Sequence, residues 1–90
     1  MIKVTPTQGN QYKVTVNKGT ETSHLVTIRP DDYERLTGGE SSHEDLLQES
    51  FLFLLERESN TSILREFDLM TIQRYFPDYE REIKSRLGAG

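Results

Sequence analysis

The chain has 90 residues, 33% of them apolar, no cysteine, and a formal net charge of −4. That length suits one domain, the lack of cysteine excludes disulfides and thiolate chemistry, and the acid excess has the wrong sign for nonspecific attraction to nucleic-acid phosphates. No run approaches the roughly 18 apolar residues of a membrane-spanning helix, and the first residues do not make a signal peptide, so the sequence reads as a soluble, cytoplasmic protein.

Charge is unevenly spread. Residues 1–30 carry +3, residues 31–58 carry −7, and the remainder is balanced. Taken in order, residues 2–6 (IKVTP) alternate apolar and polar. Residues 11–17 (QYKVTVN) do so more cleanly, with Tyr12, Val14 and Val16 on one face. Residues 23–29 (SHLVTIR) form a third such run, with His24, Val26 and Ile28 on one face. A period of two marks half-buried strands, and the turn signals Gly9-Asn10 and Lys18-Gly19 between them predict an antiparallel meander. Its outer face would carry Lys3, Thr5, Lys13, Thr15, Thr27 and Arg29.

Pro30 followed by Asp31, Asp32 and Glu34 predicts a short helix over 30–36 with Tyr33 and Leu36 inward, stopped by Gly38-Gly39. Ser41 or Ser42 then caps a central helix, since Glu44 and Asp45 lie three residues on from each. The stretch Leu46–Leu55 (LLQESFLFLL) is apolar almost all round. A surface helix shows a narrower stripe, so this helix, expected to run to about Glu58, should be packed on two sides. After the break at Ser59–Ser62, apolar spacings of three and four predict helices. One is capped by Asp68 and runs over 69–75, and a second spans 78–87; Pro77 forces a break at Phe76. The expected object is a single α+β domain over residues 1–87 with a tail at 88–90. A three-stranded antiparallel meander packs on the long central helix, and short C-terminal helices follow.

Little in the chain suggests chemistry. The only histidines are His24, expected on the core side of its strand, and His43, expected on the surface in the first turn of the central helix. Neither has the spacing of a metal ligand or a nucleophile's base. Asp31-Asp32 lacks the oxygen-rich loop of a calcium site, and Gly38-Gly39 is not followed by the Lys-Ser/Thr of a phosphate loop. No catalytic, cofactor or metal residue is assigned, and no enzyme activity is expected.

Residues 26–58 read VTIRPDDYERLTGGESSHEDLLQESFLFLLERE: a strand, a short acid-capped helix, glycine, a serine cap, then a long apolar helix. This order resembles the ribbon-helix-helix DNA-binding family. The resemblance implies a strand that pairs between two subunits and inserts its outward side chains, here Leu25, Thr27 and Arg29, into the major groove. On that alternative the nucleic-acid face is Lys13, Thr27 and Arg29. The leading expectation is different: a small noncatalytic interaction or regulatory protein, either a homodimer or the partner of another protein, with no nucleic acid and no membrane. Its candidate interface residues are Leu52 and Phe53, expected to stay exposed on the central helix when the sheet covers one side and the C-terminal helices the other, and the aromatics Tyr75, Phe76 and Tyr79 around Pro77.

Overall fold

In the computed structural model, which describes residues 1–88, the three alternating runs form strands β1 (Ile2–Pro6), β2 (Gln11–Asn17) and β3 (Glu21–Thr27). They pair antiparallel in chain order, with Val4 opposite Val14 and Val14 opposite His24. Register follows from burial: Val14, Val16, Thr22, His24 and Val26 all face the core, and a one-residue slip would turn this set to water. The opposite face, with Lys3 and Lys13, is solvated.

Helix α1 (Pro30–Thr37) starts on Pro30 and ends where Gly38 adopts φ 65° and donates its N–H to the Glu34 carbonyl at 2.8 Å. Helix α2 (His43–Leu55) begins on the second of the two available serines: Ser42 Oγ accepts the Asp45 N–H at 3.0 Å. It stops three residues before the expected Glu58. Its last turn tightens as Arg57 N–H bonds to the Leu54 carbonyl, and the Arg57 guanidinium turns back to cap the Phe53 carbonyl at 3.0 Å. Leu46, Leu47, Phe51, Phe53 and Leu54 are all buried, which confirms a helix covered on two sides. Each such side chain contributes about 1.5–3 kcal/mol of burial. β1 contacts α2 on one side, and helix α4 (Tyr79–Arg86) contacts it on the other.

The sheet has a fourth strand that the sequence pattern does not reveal. Strand β4 (Glu66–Asp68) lies parallel to β3, with Phe67 beside Val26, giving the order β1-β2-β3-β4. Backbone groups beyond β3's own ladder anchor it: Leu25 N–H donates to the Arg65 carbonyl at 2.8 Å, and Leu69 N–H to the Thr27 carbonyl at 2.9 Å. Asp68 therefore ends a strand instead of capping a helix at 69. Its Oδ1 accepts the Met70 N–H at 3.0 Å, and the short helix α3 starts later, spanning Thr71–Tyr75. Pro77 ends it as expected, with Phe76 in a non-helical conformation at φ −132° and ψ 89°. Of the expected tail, Gly88 is a turn residue at φ 72°, while Ala89 and Gly90 lie outside the described residues.

β4 also overturns the ribbon-helix-helix reading. That fold needs a strand free to pair with a second subunit, and β3 is occupied by β2 on one edge and β4 on the other.

Candidate functional site

The residues singled out in the sequence separate into buried and exposed sets. Phe53 and Tyr79 are fully buried. Their rings meet edge to face at 5.3 Å, Phe76 joins Phe53 at 6.0 Å, and the Tyr79 hydroxyl shares a 2.6 Å hydrogen bond with the buried Ser50 hydroxyl. These aromatics anchor the C-terminal segment onto α2. Arg57 reinforces the joint. Its guanidinium lies 3.6 Å from the centre of the Phe53 ring and pairs with Asp78 at 3.1 Å. Leu52 and Tyr75 are the exposed members, at 43% and 66%. They occupy different places: Leu52 borders a hollow with Met1 and Leu55, and Tyr75 lies elsewhere, on the rim of a separate groove.

That groove, of about 260 Å³, runs between the end of α2, the segment 62–64 and helix α3. Its walls include Leu54, Ile63, Leu64, Ile72, Tyr75 and Phe76. Three local features shape it. The 3-10 turn Asn60–Ser62 redirects the chain after α2, β4 holds the next residues against the sheet, and Pro77 swings Phe76 out of the α3 helix. Leu64, 48% exposed, joins Tyr75 on the rim. The one ionisable group in the lining other than Tyr75 is Glu58, whose carboxyl is pushed above its usual range by burial.

The groove wall is fixed from below by a buried polar chain. Asn60 Nδ2 donates to the Thr20 carbonyl at 2.8 Å and to Thr22 Oγ1 at 3.1 Å. Thr22 Oγ1 lies 2.9 Å from His24 Nε2, and His24 Nδ1 lies 2.7 Å from the Leu64 carbonyl. A carbonyl only accepts, so Nδ1 carries the proton, Nε2 is the acceptor, and the Thr22 hydroxyl donates to it. The chain closes with a neutral imidazole. Burial, foremost, holds the His24 pKa below 6.5, with the positive charge of Arg65 pushing the same way against the Leu64 hydrogen bond. His24 is thus on the core side as expected. Its tie to Leu64, 40 residues away in sequence, had no signal in the chain.

His43, expected on the surface, is half-buried. It is sandwiched between the Tyr33 ring at 3.9 Å and the Tyr12 ring at 5.3 Å, and so joins α1, α2 and β2. Of the three residues of the alternative nucleic-acid face, Lys13 and Thr27 share the solvated sheet face. There Lys13 lies in a row with Leu25 and Glu66, and Thr27 beside Asp68. Arg29 is paired with Asp68 at 2.9 Å. Of the cations on this face, Arg29 is paired with an acid, while Lys13 lies between Thr5 and Leu25 and Lys3 beside Thr15. Among the described residues no three His, Asp or Glu side chains converge as a metal-binding set. Compared with protein-family models, curated proteins and solved structures, the chain matches none.

Proposed function

We propose that this chain is a noncatalytic protein-interaction domain that seats apolar side chains of a partner in the groove between α2, the segment 62–64 and α3. One observation carries the reading: Leu64 and Tyr75, two of the four exposed large apolar side chains among the described residues, stand on the rim of the same apolar groove. Single exposed leucines are ordinary, but apolar side chains grouped around a cleft are the composition of a binding surface. The site also has a firm frame, since Leu64 is fixed through His24, and Phe76 through Phe53 and its neighbours. The cysteine-free composition suits a reducing compartment, and we place the domain in the cytoplasm on that basis.

A photo-reactive phenylalanine analogue at position 75, compared in living cells with the same analogue at position 13, tests the proposal. Position 75 is expected to give discrete covalent adducts that vanish when Leu64→Ser is added, with none at position 13. Equal labelling at both positions, or adducts only at position 13, would overturn it.

A further inference from the structure

The groove face is self-complementary, and we propose that its occupant is the same face of a second copy of this chain. The inference rests on the groove reading above and adds the identity of the partner. A twofold axis lays a patch on itself, so an isologous interface must carry both halves of every contact. This face does so in two respects.

The first is shape and polarity. The groove is an apolar hole, and its own rim supplies apolar knobs in Tyr75 and Leu64. The second is charge. Glu58 is half-buried in the lining, and its carboxylate has no ion-pair or hydrogen-bond partner among the described residues. Leaving a carboxylate partly desolvated without a counter-charge is unfavourable, and a cation brought to it relieves that cost. The rim residues carry such cations beside them in the chain: Arg65 follows Leu64, and Arg74 precedes Tyr75. Both are exposed and, among the described residues, free of ion pairs, as is Arg81, whereas Arg29, Arg35, Arg57 and Arg86 are all paired. A second copy would bring its Arg65 or Arg74 to Glu58 and its Tyr75 or Leu64 to the groove, twice by symmetry. A foreign partner would need a cation for Glu58 and acids for the two arginines; this chain carries both signs itself, the carboxylate in the groove lining and the arginines next in sequence to the two rim residues. The patch is small, so a transient dimer with a dissociation constant in the micromolar range or weaker is expected.

The test uses the full chain, with sedimentation velocity from low micromolar to near-millimolar concentration and circular dichroism to confirm folding of each variant. Wild type should shift from monomer to dimer across that range. Glu58→Arg, and separately the double variant Arg65→Glu/Arg74→Glu, should each weaken association at least about tenfold, because like charges then face each other. An equimolar mixture of the two should recover association as a heterodimer. Glu58→Gln, which keeps shape without charge, should fall between. A wild type that stays monomeric throughout, or a dimer indifferent to Glu58→Arg and to Tyr75→Ser, overturns the proposal. The photo-reactive analogue at position 75 separates this failure from that of the groove reading. An adduct of twice the chain mass supports self-docking, and an adduct with a different protein overturns self-docking while leaving the groove as a docking site. No adduct overturns both.

Discussion

Thr22→Val tests whether the buried polar chain holds the groove wall. Valine keeps the branched shape and removes only the hydroxyl. In the structure that hydroxyl accepts from Asn60 at 3.1 Å and donates to His24 Nε2 at 2.9 Å, and Thr22 is buried at 3% exposure. Two buried polar groups then lose a partner: the imidazole Nε2 acceptor and one Asn60 amide proton, the other keeping the Thr20 carbonyl. Each unsatisfied group costs about 1–3 kcal/mol, against which the extra buried methyl returns about 0.8 kcal/mol. A net loss of about 3 kcal/mol, the middle of the resulting range of about 1–5, is expected, which for a domain of this size lowers the melting temperature by about 12–24 °C. Thr22→Ser is the control: it keeps the hydroxyl, loses a methyl, and should cost no more than about 1.5 kcal/mol. Urea and thermal unfolding give the energies, and amide hydrogen exchange gives the location. The Leu25 N–H, held by the Arg65 carbonyl, and the Ser62 and Ile63 amides should exchange faster in the valine variant, while the β1–β2 amides change no more than global stability requires. If the valine variant is as stable as the serine one, or if exchange rises evenly along the chain, the polar chain does not fix the groove wall and the reasoning fails.

The same histidine sets a pH dependence. Its folded-state pKa lies below 6.5, so as pH falls through 6.5 the unfolded chain takes up a proton that the folded chain refuses, and stability is progressively lost toward the folded value. Urea midpoints measured between pH 7.5 and 5.5 should fall on acidification, and His24→Gln, without a titrating ring, should flatten that limb; a wild-type midpoint that does not move contradicts the neutral, closed chain. Leu52→Glu should leave the fold nearly untouched, within about 0.5 kcal/mol, because the side chain is 43% exposed. A loss above about 2 kcal/mol in thermal unfolding would instead place Leu52 in the core.

What could be read from the chain was whatever local chemistry dictates. Alternation gave the three meander strands. Pro30 and Gly38 gave the limits of α1, the pair Ser41-Ser42 bracketed the start of α2 without deciding between them, and Pro77 gave the end of α3. What escaped was set by distant parts of the chain. β4 is only three residues long, and its extended state is imposed by β3, whose Leu25 and Thr27 backbone groups bond to the residues flanking it. Read alone, residues 63–69 have helical apolar spacing. The division of the aromatic cluster was equally hidden. Tyr75 and Tyr79 lie four apart, yet one is 66% exposed and the other fully buried. Tyr79 finds Ser50 and Phe53 on α2, while the break before Pro77 leaves Tyr75 on the other side of the chain's turn. The groove inherits this difficulty, since its walls come from three segments that only the fold brings together.

The way the sheet ends bears on how this domain can associate. Edge strands offer unpaired backbone groups to any passing strand, and a small sheet has two such edges. At one, β4 exposes only a three-residue ladder, and Asp68 spends a carboxylate oxygen on the Met70 N–H of the turn that leaves it. At the other, β1 bonds to β2 through Met1 and Thr7, so antiparallel alternation points the backbone groups of Ile2, Val4 and Pro6 outward. Of these, the Ile2 carbonyl is already taken by the Gln48 amide from α2 at 2.8 Å, and Pro6 has no N–H to give. Lys3, on the solvated face of this edge, adds a charge that an incoming strand would have to accommodate. Extension of the sheet is therefore hindered at one end by the shortness of β4 and at the other by Gln48, Pro6 and Lys3. The docking surface proposed above is accordingly one of side chains and not of a sheet edge: the groove beside Leu64 and Tyr75, where exposed apolar side chains border a cleft.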